Sequence, residues 1–254
     1  MNRLNLSPLT ESATLLRRAA VVLGSVGLTA IYSLLILLRA LFGQLNRPIV
    51  DKYCREWSLA LLKLVRASLT VRGAVPDFND GRRYIIMSTH ASHYDIPVSF
   101  VSLPGSIRML AKKELFSIPL LGQAMAAAEF PSVDRSNRAG AVRDLEKARA
   151  MMESGIVLWA APEGTRSSDG HLLPFKKGCF HLALDTEAVI VPVAIRGINQ
   201  VLPARSLQIN LGQPVDVRVG KPIETAGRSK EDLAQVMAEV RQSMEELLGN
   251  GEAE

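Results

Sequence analysis

Cysteine, histidine and the aromatics are scarce in this chain of 254 residues: two Cys, four His and 5% Phe, Trp and Tyr. Cys54 and Cys179 are too few for a disulfide framework. Without a C-x-x-C pair they also cannot assemble a structural zinc site, so reduced, cytosol-facing thiols are expected. Neither H-x-H nor H-E-x-x-H occurs. A metal site would have to draw on His90, His93 and Asp95, completed by the distant His171 or His181, so none is expected. The patterns G-x-x-x-x-G-K-S/T, G-x-G-x-x-G and G-x-S-x-G are missing as well. Nucleotide hydrolysis, dinucleotide redox chemistry and a serine hydrolase therefore lack their usual signatures. No internal repeat or low-complexity tract is found. What is present, 48% hydrophobic and 22% charged residues, is a folding composition that excludes a disordered or collagen-like chain. The length fits one large α/β domain, or two small ones, plus a short appendage.

The charge is unevenly placed. Residues 1–75 carry ten Lys and Arg against Glu11, Asp51 and Glu56, and the chain as a whole is +5, so the remainder nets −2. A nucleic-acid binder would spread its basic excess over the main domain; here the excess flanks an apolar segment, which favours a membrane surface. Ala19–Leu38 holds twenty residues without a charge between Arg17/Arg18 and Arg39. At about 1.5 Å per residue they match a hydrocarbon core of about 30 Å, and a run this long exceeds the apolar stripe of a soluble helix. A buried core helix is the other reading. No small-x-small cleavage site follows, so the segment is expected to persist in the mature protein. The larger share of basic residues C-terminal to the run places the following domain in the cytoplasm, against the cell membrane. A second helix is expected over Glu56–Thr70, with Trp57, Ala60, Leu61, Leu64 and Val65 on one face. It fits either the headgroup region or the surface of the domain.

The turn-rich segment 73–83 divides a membrane-associated helical region, 1–72, from a globular domain, 73–254. Strands are expected at Tyr84–Met87, Ile107–Leu110, Ile156–Trp159, Val189–Ile195 and Leu207–Leu211. Helices are expected at Arg138–Glu153, Lys176–Asp185 and Ser229–Leu248. This alternation gives an α/β fold with a largely parallel central sheet flanked by helices, behind an N-terminal hydrophobic helical anchor.

Functional groups in such sheets collect in the loops beyond strand C-termini. Four places there are densely polar: Thr89–Asp95 (THASHYD), Phe130–Arg135 (FPSVDR), Pro162–Ser167 (PEGTRS) and Val191–Gly197 (VPVAIRG). His90 and Asp95 are five residues apart, about 140° from a shared face on a regular helix. Contact between them requires a strand, a loop carrying His90, and a helix beginning near Asp95. The carboxylate would then hold one ring nitrogen and leave the other to take a proton, a general base without a protein nucleophile. In Glu163-Gly164-Thr165-Arg166, glycine allows close backbone approach and arginine offers a planar fork for phosphate. Lys112, Lys113, Lys176 and Lys177 are candidates to supplement it. A helix-capping histidine and an ordinary surface turn are the plain alternatives.

Taken in order, the four blocks resemble those of the glycerolipid acyltransferases, in the branch that acylates 1-acyl-sn-glycerol-3-phosphate (lysophosphatidate). AKKELFSIPLLG and LLPFKKGCFHLAL between them agree with it. The resemblance implies an enzyme that moves a fatty acyl group from acyl-CoA or acyl carrier protein to the free hydroxyl of lysophosphatidate, giving phosphatidate. It implies His90 as general base and Asp95 as its support. Glu163, Gly164, Thr165 and Arg166 would form the acceptor site, Arg135 a further phosphate contact, and the Pro192 region the donor side. No metal or bound cofactor and no nucleic acid enters; the partners are the lysophospholipid, the acyl donor and membrane lipids. Thr89 stands where the family commonly has Asn, and His93 is an additional imidazole without an assigned part. Acylation of another lysolipid such as lyso-ornithine lipid, a metal-dependent lipid hydrolase and a non-catalytic lipid-binding protein are the competing readings.

Overall fold

A computed structural model describes residues 11–133 and 138–249. Along the chain run β1 (Glu11–Ser12), α1 (Leu15–Leu41), α2 (Arg47–Leu64), β2 (Ser68–Arg72), β3 (Tyr84–Ser88), α3 (Asp95–Ser102), β4 (Ile107–Met109), β5 (Ala111–Lys112), α4 (Leu121–Ala127) and β6 (Ser132–Val133). There follow α5 (Arg138–Glu153), β7 (Val157–Ala160), α6 (Gly178–Asp185), β8 (Val189–Arg196), α7 (Ile198–Val201), β9 (Asn210–Leu211), β10 (Pro214–Val219) and α8 (Leu233–Leu248). The central sheet has the order β2-β10-β8-β3-β7-β4 and is parallel except where β10 meets β8.

Strands β3, β7 and β8 read as continuous apolar runs because helices cover both faces of the sheet. The two-residue period still sorts their side chains. Tyr84, Ile86, Trp159, Val191 and Val193 face a core closed by the N-terminal helices and α3. Ile85, Met87, Leu158, Ala160 and Ile190 face a second core under α5, α6 and α8. Met87 pairs with both Ala160 and Pro192, so β3 and β7 end at one level and deliver the loops after residues 88 and 160 to one edge, beside which β8 continues to Arg196. That edge is where a parallel sheet offers its functional groups.

The N-terminal helices are packed on this body. Asn46 caps α2 by accepting the Ile49 N–H at 3.0 Å, and Pro48 suits the first turn because its nitrogen needs no partner there. Trp57 Nε1 donates to Thr29 Oγ1 at 3.1 Å, tying α2 to α1. The α2 N-terminus is bolted by two ion pairs, one to the loop after α4 and one to the sheet edge at β4. Arg47 grips Glu129 with two nitrogens at 2.8 Å, and the fully buried Arg108 meets Asp51 at 2.7 Å. Charges buried this way depend on their partners, so removing one member of the Arg108 pair should cost more than replacing both.

Three elements depart from the sequence reading. The helix expected to reach Thr70 stops at Leu64, Arg66 turns into the left-handed region at φ 56°, and Ser68–Arg72 becomes a strand. That strand precedes the 73–83 loop yet pairs with β10, so the sheet begins inside the region assigned to the N-terminal helices. Of the strand expected at Leu207–Leu211, only Asn210–Leu211 forms, and it pairs with Glu11–Ser12 outside the central sheet. β10 itself, with alternating burial, supplies the antiparallel neighbour of β8.

Candidate active site

The loop between β3 and α3 holds the first block. Thr89 keeps it in register with β8: its N–H donates to Val193 O at 3.0 Å and its hydroxyl accepts the Ile195 N–H at 2.9 Å. The His90 backbone is gripped from both sides, its N–H donating to Glu163 Oε1 at 3.3 Å and its carbonyl accepting the Ser167 N–H at 2.7 Å. Asp95 opens α3, and its carboxylate reaches back over the loop. Asp95 Oδ2 lies 2.7 Å from His90 Nδ1 and accepts the N–H groups of Ala91 and Ser92 at 2.8 and 2.9 Å. This is the strand, loop and helix junction that the five-residue spacing required. An Nδ1–H donated to a carboxylate leaves Nε2 as the basic nitrogen, a tautomer inferred from the bonding partner. Trp159, from β7, meets the His90 ring edge-on at 5.8 Å between centroids.

Glu163 is only 2% exposed, and both its oxygens face backbone: Oε1 the His90 N–H and Oε2 the Leu173 N–H at 2.9 Å. Burial pushes its pKa up and those two hydrogen bonds oppose the shift. In this position the carboxylate joins the third block to the first. Gly164 has φ +71°, and a Cβ there would sit 3.2 Å from the Lys176 side chain, so the turn suits glycine. Thr165 and Arg166 follow at the rim of a cavity.

That cavity, about 700 Å³, lies between the sheet, α1, α2 and α4. Its walls are overwhelmingly apolar, with Ile36, Trp57, Phe100 and Phe130 among them. Among the described residues, the ionisable side chains on its lining, tyrosine and cysteine aside, are His90, His93, Lys112 and Arg166, with no carboxylate. A polar cavity of about 220 Å³ lies on the other side of the His90 backbone, bounded by Thr89, Glu163, Asp169, Arg196 and Asn199. Pro192 is buried within β8; Ile195, Arg196 and Gly197 are the fourth-block residues that reach this second cavity.

The matched family is the acyltransferase family, over residues 68–196, half of the chain. The chain belongs to that family. A 1-acyl-sn-glycerol-3-phosphate acyltransferase of Cocos nucifera is 31% identical over 218 residues, covering 85% of this chain and 70% of the relative. The alpha form of that enzyme from Homo sapiens is 31% identical over 194 residues, 76% of this chain and 68% of its own. The crystal structure of the 1-acyl-sn-glycerophosphate (LPA) acyltransferase of Thermotoga maritima superposes with a TM-score of 0.74 at 26% identity, covering 92% of this chain and 95% of that one. The family expected from the four blocks and the α/β fold expected from the alternation of strands and helices are therefore established, and the N-terminal apolar helix is present.

In this acyltransferase the structure brings His90, Asp95, Glu163, Gly164, Thr165 and Arg166 together at one strand edge. Arg135 lies outside the described residues. Lys112 joins the cavity lining, whereas His171 borders the polar cavity and His181 sits on α6. Among the described residues no cluster of three metal-ligating side chains forms. Sequence reasoning gave no part in the site to Trp159, Ser167 or Leu173, whose contributions are a ring edge and two backbone N–H groups. Backbone donors leave no mark in residue type, and Trp159 reads as one more core residue of a buried strand.

Proposed function

We propose that the protein transfers a fatty acyl group from a thioester donor, acyl-CoA or acyl carrier protein, to the free hydroxyl of lysophosphatidate, forming phosphatidate. The observation that carries this reading is the lining of the large cavity: a His–Asp pair at the edge of an apolar chamber whose other charged residues are cationic. Its volume is that of a ligand site, about 300–1,000 Å³ in general. A substrate with long alkyl parts and a phosphate fits such a lining.

His90 Nε2 takes the hydroxyl proton as the oxygen attacks the thioester carbonyl. The tetrahedral intermediate collapses with cleavage of the C–S bond, the imidazolium returns its proton to the departing sulfur, and the new C–O bond is the ester. Asp95 stabilises the imidazolium through Nδ1–H, and Arg166 holds the phosphate. The thioester carries its own activation, so the reaction as written calls for no metal or cofactor.

The helix α1 has a mean hydropathy of 2.3 over its most apolar stretch, of which 17% is buried, and is long and apolar enough to cross a membrane. Two features support a helix lying in one leaflet instead. Glu11–Ser12 is stitched to β9 just before α1 begins, and one face of α1 lines the cavity. Its opposite face, with Leu23 and Leu34, would enter the lipid of the cell membrane, the catalytic body remaining on the cytoplasmic side. Substrates would then reach the cavity from the bilayer.

The test is acyl transfer by the purified protein in bilayer or detergent. Labelled acyl-CoA and acyl carrier protein would be offered with lysophosphatidate, lyso-ornithine lipid and glycerol-3-phosphate, alongside His90→Ala. Phosphatidate formed by the wild type alone is the expected result. Product from another lysolipid would move the acceptor assignment, and no product from any pair would point to the non-catalytic reading.

A further inference from the structure

His93 lines the large cavity and has no part in the reaction above. It sits one turn past His90 in the loop that Asp95 closes, and lines the same cavity as His90 and Arg166. Neither the His93 ring nor the Arg166 guanidinium has a hydrogen-bond or ion-pair partner among the described residues. Three other guanidinium groups show the usual pairing with a carboxylate: Arg108 with Asp51, Arg47 with Glu129 and Arg82 with Asp80. An arginine held half-buried in a concave site without a carboxylate presents an uncompensated charge. Lys112, the remaining cation of the lining, is already paired to Glu114 at 2.8 Å.

We propose that His93 is the second arm of the acceptor's phosphate site, closing on the phosphomonoester opposite Arg166 and selecting acceptors that carry one. The proposal rests on the acyl-transfer reading above. It makes His93 a specificity-determining residue, with the phosphate anchored one turn from the base and the glycerol hydroxyl thereby held within reach of His90.

The charges facing His93 explain how the arm works. The ring is open to solvent on one side; what burial it has, the Arg166 guanidinium and His90 favour the neutral form, while Asp95 opposes them. Lys112, also on the lining, is offset by its partner Glu114. A phosphate arriving beside Arg166 reverses the local field, so His93 takes up a proton and makes a charge-assisted hydrogen bond. Acceptor binding is thereby linked to protonation: affinity is highest where His93 can stay protonated in the complex and falls as pH rises beyond that range. A neutral headgroup gains nothing from the arm.

The experiment measures KM for lysophosphatidate and for the acyl donor between pH 5.5 and 8.5, for wild type, His93→Ala and His93→Gln, with 1-monoacylglycerol as a phosphate-free competitor. His93→Ala should raise the lysophosphatidate KM about tenfold, the size of one charge-assisted contact, with a much smaller change in kcat and in the donor KM. His93→Gln should raise it less and lose the rise of acceptor KM with pH. Inhibition by 1-monoacylglycerol should be the same in all three proteins. An unchanged lysophosphatidate KM in His93→Ala overturns the proposal. So does equal weakening of 1-monoacylglycerol, which would assign His93 to the loop, and so does a fall in kcat alone, which would assign it to proton transfer. If the wild type fails to acylate lysophosphatidate with either donor, the acyl-transfer reading itself fails and takes His93's part with it.

Discussion

A single oxygen of Asp95 holds both the ring and the backbone of the loop that carries His90. Oδ2 is 2.7 Å from His90 Nδ1 and also accepts the Ala91 and Ser92 N–H groups, whereas the buried Oδ1 has no hydrogen-bond partner among the described residues. The side chain is fully buried at the N-terminus of α3, where a negative charge is favoured by the helix dipole. Charge and loop geometry are thus separable by mutation. In Asp95→Asn the amide oxygen can keep the backbone contacts while the charge that supports an imidazolium is lost. Turnover should fall by about 10²–10⁴, the scale seen when a carboxylate behind a catalytic histidine becomes an amide. Stability should fall by only about 1–3 kcal/mol, from the buried amide hydrogens at the Oδ1 position. Initial rates and a denaturant titration read the two effects, and a variant that loses stability but keeps its rate would remove Asp95 from the mechanism.

Glu163 distinguishes positioning from substrate binding. Its two oxygens are occupied by the His90 and Leu173 N–H groups, so Glu163→Gln surrenders one of these acceptors and loosens the loop. The expected result is a fall in kcat of about 10- to 100-fold with the acceptor KM nearly unchanged. A carboxylate facing the acceptor's phosphate would repel it, so its removal would instead lower KM. The pH dependence of stability has a definite sign. Burial raises this acid's pKa, so the folded state holds the proton more tightly than the unfolded chain. Its contribution is therefore lost as pH rises from the ordinary glutamate range through the folded value. Glu163→Gln should flatten that part of the stability profile, as read from unfolding midpoints across the acid range.

Much of this site was legible because its chemistry resides in side chains at fixed spacing. Contact between His90 and Asp95 required a strand, loop and helix junction by geometry, and the apolar runs Ile156–Trp159 and Val189–Ile195 read as strands that form, within a residue, at Val157–Ala160 and Val189–Arg196. The supports were not legible, since the Ser167 and Leu173 backbone donors are independent of residue type. β2 was read as helix because Leu61, Leu64 and Val65 continue a helical stripe to the point where Arg66 breaks it with a left-handed backbone. The pairing of β2 with a strand some 145 residues later is invisible to local pattern. β10 escaped for a related reason: half of its residues face solvent, and alternation over six residues that begin with proline is a weak signal.

Cys54, on α2, lines the cavity in which a thioester would react, yet it should not become acylated. Burial pushes its thiol up to about 12, so at pH 8 the nucleophilic thiolate is scarce. A thiol reagent should therefore leave Cys54 unmodified in the native protein and react promptly once it is unfolded, as mass spectrometry of the labelled peptide would show. The linkage runs toward alkaline instability. The folded state keeps the proton that the unfolded chain releases near pH 9, so stability is lost as pH climbs from about 9 to about 12. Rapid native labelling at pH 8 would mean that α2 opens far more often than the Arg47 and Arg108 ion pairs imply.

The outward face of α1 carries the last test. Leu16, Leu23, Leu34 and Leu41 recur at spacings of 7, 11 and 7, which keeps them on one side of the helix, and they are 83%, 72%, 48% and 76% exposed. The opposite face holds Val21 and Ile36 against the protein. A stripe of this kind is costly in water and favourable in lipid, each leucine contributing about 1.5–3 kcal/mol when fully transferred. Replacing two of them, Leu23→Glu and Leu34→Glu, should reduce binding to vesicles of phosphatidylethanolamine and phosphatidylglycerol by at least about 100-fold. Neither residue touches the ion pairs that fix α2, so the melting temperature should hold. High salt should weaken wild-type binding far less than the double substitution does, because the apolar contribution is not screened. Flotation assays at low and high salt, with a thermal melt as control, read all three outcomes. Undiminished flotation of the double variant would place the membrane contact elsewhere and return α1 to the role of a wall for the cavity.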